Sequence, residues 1–316
     1  MDHRVSPLRV RPAMTIDNHD RLFLALDRLH PPRRCRADFA QRNAAKLTAK
    51  IGTAGATQVR FFFGVPFGLL FLFAALMATG GPLPQPGGVY WAWILLGGLA
   101  QTAATALMLA AMNGRSFVVV YAYIKTEPVQ VALFGLVLLG DAVTLPMAIA
   151  ILIATSGVLM MSRGTGASEG GLQPALLGLA AGAGFGLSAI GFRGAILTLS
   201  DTSYLMAASF SVVMGLALQA ALLTIYLLLR SPHVLAAILR QWRPSMLAGF
   251  LGAVASLFWF LAFALATAAS VRTLALVEVL FAQAISAFSF KQRTTPREAA
   301  GIVLIVAGVA VLLWAY

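Results

Sequence analysis

The chain has 316 residues, of which 59% are hydrophobic and 11% charged, with a mean hydropathy of +0.85. Soluble domains carry about 25% charged residues, so the composition excludes an ordinary soluble globular protein and points to a polytopic membrane protein. A single cysteine, Cys35, excludes an internal disulfide framework and a multi-cysteine metal site, and the net charge of +12 is no nucleic-acid signature, because residues 1–50 hold 11 of the 23 Lys/Arg and most other basic residues fall near helix ends.

Residues 1–50 read as a basic N-terminal segment. The stretch DRLFLALDRLHPPRRCRADFAQRNAAK holds one short apolar run, LFLAL, followed by Pro-Pro and an arginine cluster. It contains no span of membrane length and is too charged for the apolar core of a signal peptide. Two readings stay open: a basic tail, or a first helix read out of frame. Shifted by one base, with free choice of codons, residues 20–47 are compatible with an apolar helix.

Nine candidate membrane helices follow, at about 58–79, 89–112, 116–139, 144–162, 173–196, 203–229, 245–268, 271–290 and 297–316. The breaks between them carry turn chemistry: GGPLPQPGG at 80–88, Gly140-Asp141, RGTGASEGG at 163–171 and Ser200-Asp201. The stretch SPHVLAAILRQWRP at 231–244 reads either as an interfacial amphipathic turn with Trp242 at the headgroups or as a solvated loop.

The second part of the chain repeats the first. KTEPVQVALFGLVLLGDAVTLPMAIAILIATSGVLMM at 125–161 aligns with LVEVLFAQAISAFSFKQRTTPREAAGIVLIVAGVAVLL at 276–313, at an offset of 151 residues that pairs Glu127 with Glu278 and Gly157 with Gly308. The organisation expected is an all-α polytopic bundle of two five-helix repeats whose first helix is missing or scrambled. Residues 51–162 form the first repeat, with four helices, 163–172 the linker and 173–316 the second repeat, with five. Lys46, Lys50, Arg60, Arg115, Arg163, Arg230, Arg240, Arg243, Lys291, Arg293 and Arg297 gather on one face, which marks it as cytoplasmic and puts the C-terminus outside.

Glu127 and Glu278 lie near the middle of apolar helices. A charged side chain at the centre of a bilayer costs about 3 kcal/mol by insertion measurements, so such residues mark ion or substrate paths and face a partner. Glu127 is read as a proton or cation acceptor whose partner sits on another helix, against the alternative of a purely structural contact. Pro128 removes a backbone donor beside it and is expected to open the helix. Glu278 reads either as its functional counterpart or as a packing hydrogen bond. Lys125 either binds an anionic substrate group or neutralises one of the two glutamates. Tyr123, four residues before Glu127, shares its helix face and offers a ring and a hydroxyl, or simply packs. Gln101 is placed toward the cavity or in an interhelical hydrogen bond. Gln283 follows Glu278 at about 140° around the helix. Arg115 and Arg272 are read as helix-end anchors, and Arg193, inside a helix near its end, as a side chain that snorkels toward the interface. Gly178, Gly182 and Gly186, and likewise Gly64 and Gly68, are spaced for close helix approach, with a substrate groove beside them as the alternative.

From about residue 43 to 316 the chain resembles the drug/metabolite transporter (DMT) superfamily in its EamA-like branch. The resemblance is carried by GTAGATQVRFFFGVPFGLL at 52–70, GRSFVVVYAYIKTEPVQVALFGLVLLGD at 114–141 and VEVLFAQAISAFSFKQRTTPREAAGIVLIVAGVAVLL at 277–313. It implies ten helices in two five-helix repeats, four of each around a central cavity. It also implies carriage of small metabolites, amino acids or drugs across the bacterial inner membrane, often against protons, by alternating access. This chain departs in its first helix and in the C-terminus that the charge bias places outside. The partners expected are a small-molecule substrate, the lipid bilayer and protons as coupling ion. No nucleic acid, cofactor or metal is expected, and no nucleophile–base pair, phosphate-binding loop or metal cluster occurs in the sequence. The alternatives are a non-transporting or decayed membrane protein lacking the first helix, and a membrane enzyme, for which the 231–244 loop offers no acidic residue and only His233.

Overall fold

In the computed structural model, residues 54–112, 117–162, 172–281, 283–284 and 295–315 are described. The chain divides into two units, Met1–Gly52 and Thr53–Tyr316. The described residues all belong to the second. The basic N-terminal segment, with its first-helix alternative, and the 163–171 linker lie outside them.

Every regular element among the described residues is helical. α1 spans Ala54–Thr79 and α2 spans Gly88–Met112. α3 is Phe117–Ile124, and α4 is Glu127–Phe134, running on as a π-helical turn, Gly135–Leu139. α5 is Leu145–Ser162, α6 Leu172–Leu197, α7 Tyr204–Arg230, α8 Pro232–Arg240 and α9 Trp242–Leu265. α10, Ala268–Leu274, continues into a 3₁₀ turn, Ala275–Val277, before helix resumes at Glu278. α11 is Pro296–Trp314.

Six of these helices are long and apolar enough to cross a membrane. They are apolar around most of their circumference, as expected where one side meets protein and the other lipid. Leu69, Phe73, Met77, Leu229 and Trp314 point outward with more than half of their surface open. The inward-facing core is built around Tyr90, Ile94, Val131, Ile190, Phe192 and Phe263.

Helix ends follow their local chemistry. α1 stops at Gly80, whose φ of 63° is the left-handed conformation that glycine adopts freely, and the π turn after α4 stops at Gly140 in the same way, at φ 68°. Ser203 and Thr267 cap α7 and α10 by accepting from the N–H groups of Met206 and Ser270. Thr295 and Glu298 form a reciprocal capping box at α11, with Thr295 N–H donating to Glu298 Oε2 at 2.7 Å.

Three spans differ from the sequence expectation. The 116–139 helix is broken at Lys125–Thr126, where the Thr126 N–H and hydroxyl both turn back to the Tyr123 carbonyl, at 3.2 and 2.7 Å. Pro128 lacks the N–H that would carry the ladder across to Ile124, so the break is written in the sequence. The 271–290 helix is broken by the 3₁₀ turn, and its last residues, 285–290, lie outside the described residues. The 231–244 stretch holds a helix, α8 at Pro232–Arg240, with Val234 and Ile238 turned inward, and its last residues open α9.

Helix contacts are close where glycine permits. α2 runs along α6 so tightly that a Cβ on Gly191 would lie 2.5 Å from the Gly97 amide nitrogen. α5 and α11 meet at Gly157 and Gly308. A Cβ on Gly157 would fall 2.7 Å from the Gly301 carbonyl oxygen, and one on Gly308 would fall 2.7 Å from the Ala154 nitrogen. Gly178, Gly182 and Gly186 seat α6 against Tyr123, Ile124 and Val131. They serve helix approach, and none of them lines the cavity described below.

Candidate functional site

The two helix breaks face each other. Opening α3–α4 at Lys125–Thr126 and α10 at Ala275–Val277 accompanies polar side chains from both parts of the chain around one cavity of about 330 Å³. Irregular backbone at membrane depth is tolerated where it lines such a space.

Glu127 is buried, with 6% of its surface exposed. Its partner comes from α10: Arg272 Nε lies 3.0 Å from Glu127 Oε1. The two atoms do not meet hydrogen-bond geometry, so the contact is one of charge. The Arg272 guanidinium also lies over the Trp259 ring, 4.3 Å from its centroid, and near that of Phe263 at 5.7 Å. An aromatic face is a fitting seat for a planar, weakly hydrated cation.

Glu278 is the more open acid, its side chain 47% exposed. Lys125 forms an ion pair and a hydrogen bond with Glu278 Oε1, and the Tyr121 hydroxyl donates to the same oxygen at 2.7 Å. The Lys125 ammonium lies 4.9 Å from the Tyr121 ring centroid. The arrangement is reciprocal. Tyr121, six positions before Glu127, serves Glu278, while Arg272, six positions before Glu278, serves Glu127.

The remaining walls mix amides and rings. Gln219 on α7 donates to Gln101 Oε1 on α2 at 2.7 Å, and Phe192, Trp259 and Phe260 supply apolar surface. Arg60 of α1 also lines the space. Toward the loop ends of α6 and α9, Arg193 donates from Nε to Asp141 Oδ2 at 3.2 Å, and from Nη1 to the carbonyls of Phe263 and Ala266 at 2.6 and 2.5 Å.

Of the sequence-selected residues, Glu127, Glu278, Lys125 and Gln101 are brought together at the cavity. Tyr123 is not: the turn at Lys125–Thr126 rotates it off the Glu127 face, and it packs against Gly178. Gln283 lies one turn beyond Glu278 and does not line the cavity either. Arg272 is ion-paired inside the bundle in place of the helix-end anchoring expected for it, and Arg193 is ion-paired to Asp141 in place of the snorkelling expected for it. Arg115 lies outside the described residues. Tyr121, Trp259 and Gln219 were not selected as site candidates from sequence, and Arg272 was read only as an anchor. Arg272 carried a usable signal, a cation within the apolar run SVRTLALVEVL.

Residues 44–163 match the family described as the EamA-like transporter family. No curated protein matches the chain. Among solved structures, a chain described only as "Crystal structure of protein" superposes with a TM-score of 0.64 at 19% sequence identity, over 86% of this chain and 93% of that one. At that identity the likeness supports the fold alone. Residues 44–163 are thus similar to the EamA-like transporter family, and six helices among the described residues are long and apolar enough to cross a membrane.

Proposed function

We propose that this protein is a secondary carrier that moves small organic molecules, amino acids or drug-like compounds among them, across the bacterial inner membrane. It would do so by alternating access, with protons as coupling ion. The observation that carries the reading is the reciprocal pairing in the cavity. Glu127 takes its cation from the second part of the chain and Glu278 takes its cation from the first. Two carboxylates held at mid-depth by charges from opposite parts are fitted to change partners when those parts move against each other. Inverted repeats with broken helices at the midplane supply such a motion in other carriers.

In this reading the parts are the two repeats, 51–162 and 173–316. Protonation of Glu127 releases Arg272, and the freed guanidinium lets the repeats rock. Glu278, more open, meets the substrate side of the cavity.

Flux in proteoliposomes tests it. Purified protein is reconstituted with an imposed proton gradient, and uptake is followed for a panel of amino acids, aromatic carboxylates and cationic dyes. Saturable uptake that follows the gradient in wild type and becomes gradient-independent in Glu127→Gln is the expected result. No saturable uptake of any panel member would remove the carrier reading. Uptake with unchanged proton dependence in Glu127→Gln would remove Glu127 from the coupling.

A further inference from the structure

The charges in the cavity do not balance. Among the described residues its lining holds three cations, Arg60, Lys125 and Arg272, and two carboxylates, Glu127 and Glu278. Lys125 is taken by Glu278 and Arg272 by Glu127. Arg60 has no carboxylate within ion-pair distance among the described residues, and its neighbour is the face of Phe61, 5.9 Å from the guanidinium carbon.

Arg60 is also seated. It stands in the second turn of α1, and its stem runs across the α9 backbone at Gly252, where an added Cβ would lie 2.6 Å from Arg60 Cγ and 3.3 Å from Nε. A residue with a side chain there would push the arginine off this course. The side chain is therefore laid along α9 toward the cavity.

From this we infer that Arg60 is the substrate-charge receptor of the cavity and that the substrate class is organic anions bearing one carboxylate on an apolar body. The guanidinium fork fits a carboxylate bidentately, and the single unbalanced positive charge fits one anionic group. Phe61, Phe192, Trp259 and Phe260 would receive the apolar part. About 330 Å³ suits a molecule of modest size. An organic cation meets the opposite situation, since both acids are already neutralised and the remaining charge repels it. This assignment takes its transport sense from the carrier reading, but its binding claim stands apart from it.

The test uses full-length purified protein and probes that share a body and differ in charge: 3-phenylpropionate, 3-phenylpropanol and 3-phenylpropylamine, with phenylacetate and propionate as smaller carboxylates. Equilibrium binding is measured in detergent, and uptake of the same probes in proteoliposomes. We expect saturable binding of at least one carboxylate and none of the alcohol or amine. Arg60→Gln should weaken that binding by about tenfold or more, the scale of a lost charge-assisted contact. Arg60→Lys should recover part of the loss, and Gly252→Ala, which leaves the arginine in place but displaces its stem, should show an intermediate loss. Size-exclusion profiles matching wild type keep these changes apart from misfolding. Should Arg60→Gln not fold, Gly252→Ala and Arg60→Lys still decide the matter. Carboxylate binding indifferent to all three substitutions, amine binding in preference to carboxylate, or no carboxylate binding would each overturn the inference. Binding as expected with no uptake leaves the anion site standing and the carrier reading fallen. Amine uptake without carboxylate binding does the reverse.

Discussion

Arg272 closes on Glu127 from the far part of the chain, its Nε 3.0 Å from the carboxylate oxygen and its guanidinium plane over Trp259. Both side chains are largely withdrawn from solvent, at 19% and 8% exposure. Removing one partner of such a pair strands the other as an uncompensated buried charge, a loss of about 3–5 kcal/mol, whereas removing both is far cheaper. Arg272→Met should therefore lower thermal stability in detergent markedly. The double variant Glu127→Gln with Arg272→Met should recover most of that loss. A double variant as unstable as the single one would show that Arg272 stabilises through Trp259 rather than through Glu127.

Lys125 and Glu278 should behave differently. Glu278 is half open to the cavity, so water can solvate it when its partner goes, and exposed ion pairs contribute only about 0.2–1 kcal/mol. Lys125→Met and Tyr121→Phe are expected to shift the melting temperature little. Flux should fall in both, and more in Lys125→Met, which removes a charge where Tyr121→Phe removes one hydrogen bond. Parallel melting and uptake measurements check this. A large stability loss with intact flux per folded molecule would assign the pair a structural role alone.

How much of this was legible in the sequence varies with the physics involved. Membrane helices are announced by twenty-residue apolar runs, and the two mid-helix glutamates stand out because a bilayer penalises charge. Both were readable, and Glu127 and Glu278 do face one cavity. Lys125 was readable as the partner of one glutamate, and it pairs with Glu278, but which glutamate it serves and the pairing of Glu127 with Arg272 were not readable, because only folding brings the parts of the chain together. Tyr123 illustrates the limit. Counting four residues back from Glu127 assumes an unbroken helix; with the turn at Lys125–Thr126 it is Tyr121 that lines the cavity, and its hydroxyl bonds Glu278 rather than Glu127. Arg272 looked like a helix-end anchor and Arg193 like a snorkelling residue because each lies within a turn or two of a helix terminus, and burial is invisible to such counting.

The glycines separate into two groups with opposite expected signs. At Gly308 an added Cβ would sit 2.7 Å from the Ala154 nitrogen and 2.8 Å from the Ala150 carbonyl oxygen, all backbone atoms of α5 that cannot step aside singly. Gly308→Ala should cost about 1–3 kcal/mol by overpacking. At Gly64 the nearest atoms are the Leu216 methyls at 3.5 Å, an ordinary contact. There, Ala should be neutral or stabilising by up to about 0.5–1 kcal/mol, since it restricts the unfolded helix backbone without a clash. Melting curves of the two variants side by side check the contrast. Equal effects would mean that α5 and α11 can separate without cost.

Arg193 predicts an ordering rather than a single value. It binds Asp141 through two nitrogens, at 3.2 and 3.3 Å, and also donates to the carbonyls of Phe263 and Ala266 at the end of α9. Asp141→Asn leaves the guanidinium with both carbonyl acceptors and a neutral amide oxygen in reach, so the loss should be about 1–3 kcal/mol. Arg193→Ala strands Asp141 and orphans both carbonyls at once, and should cost about 3–5 kcal/mol. Denaturation of the two variants in detergent gives the order. If Asp141→Asn proved the more damaging, the carboxylate would be held by contacts beyond Arg193, and the clasp between α6 and the end of α9 would not be what fixes this corner of the bundle.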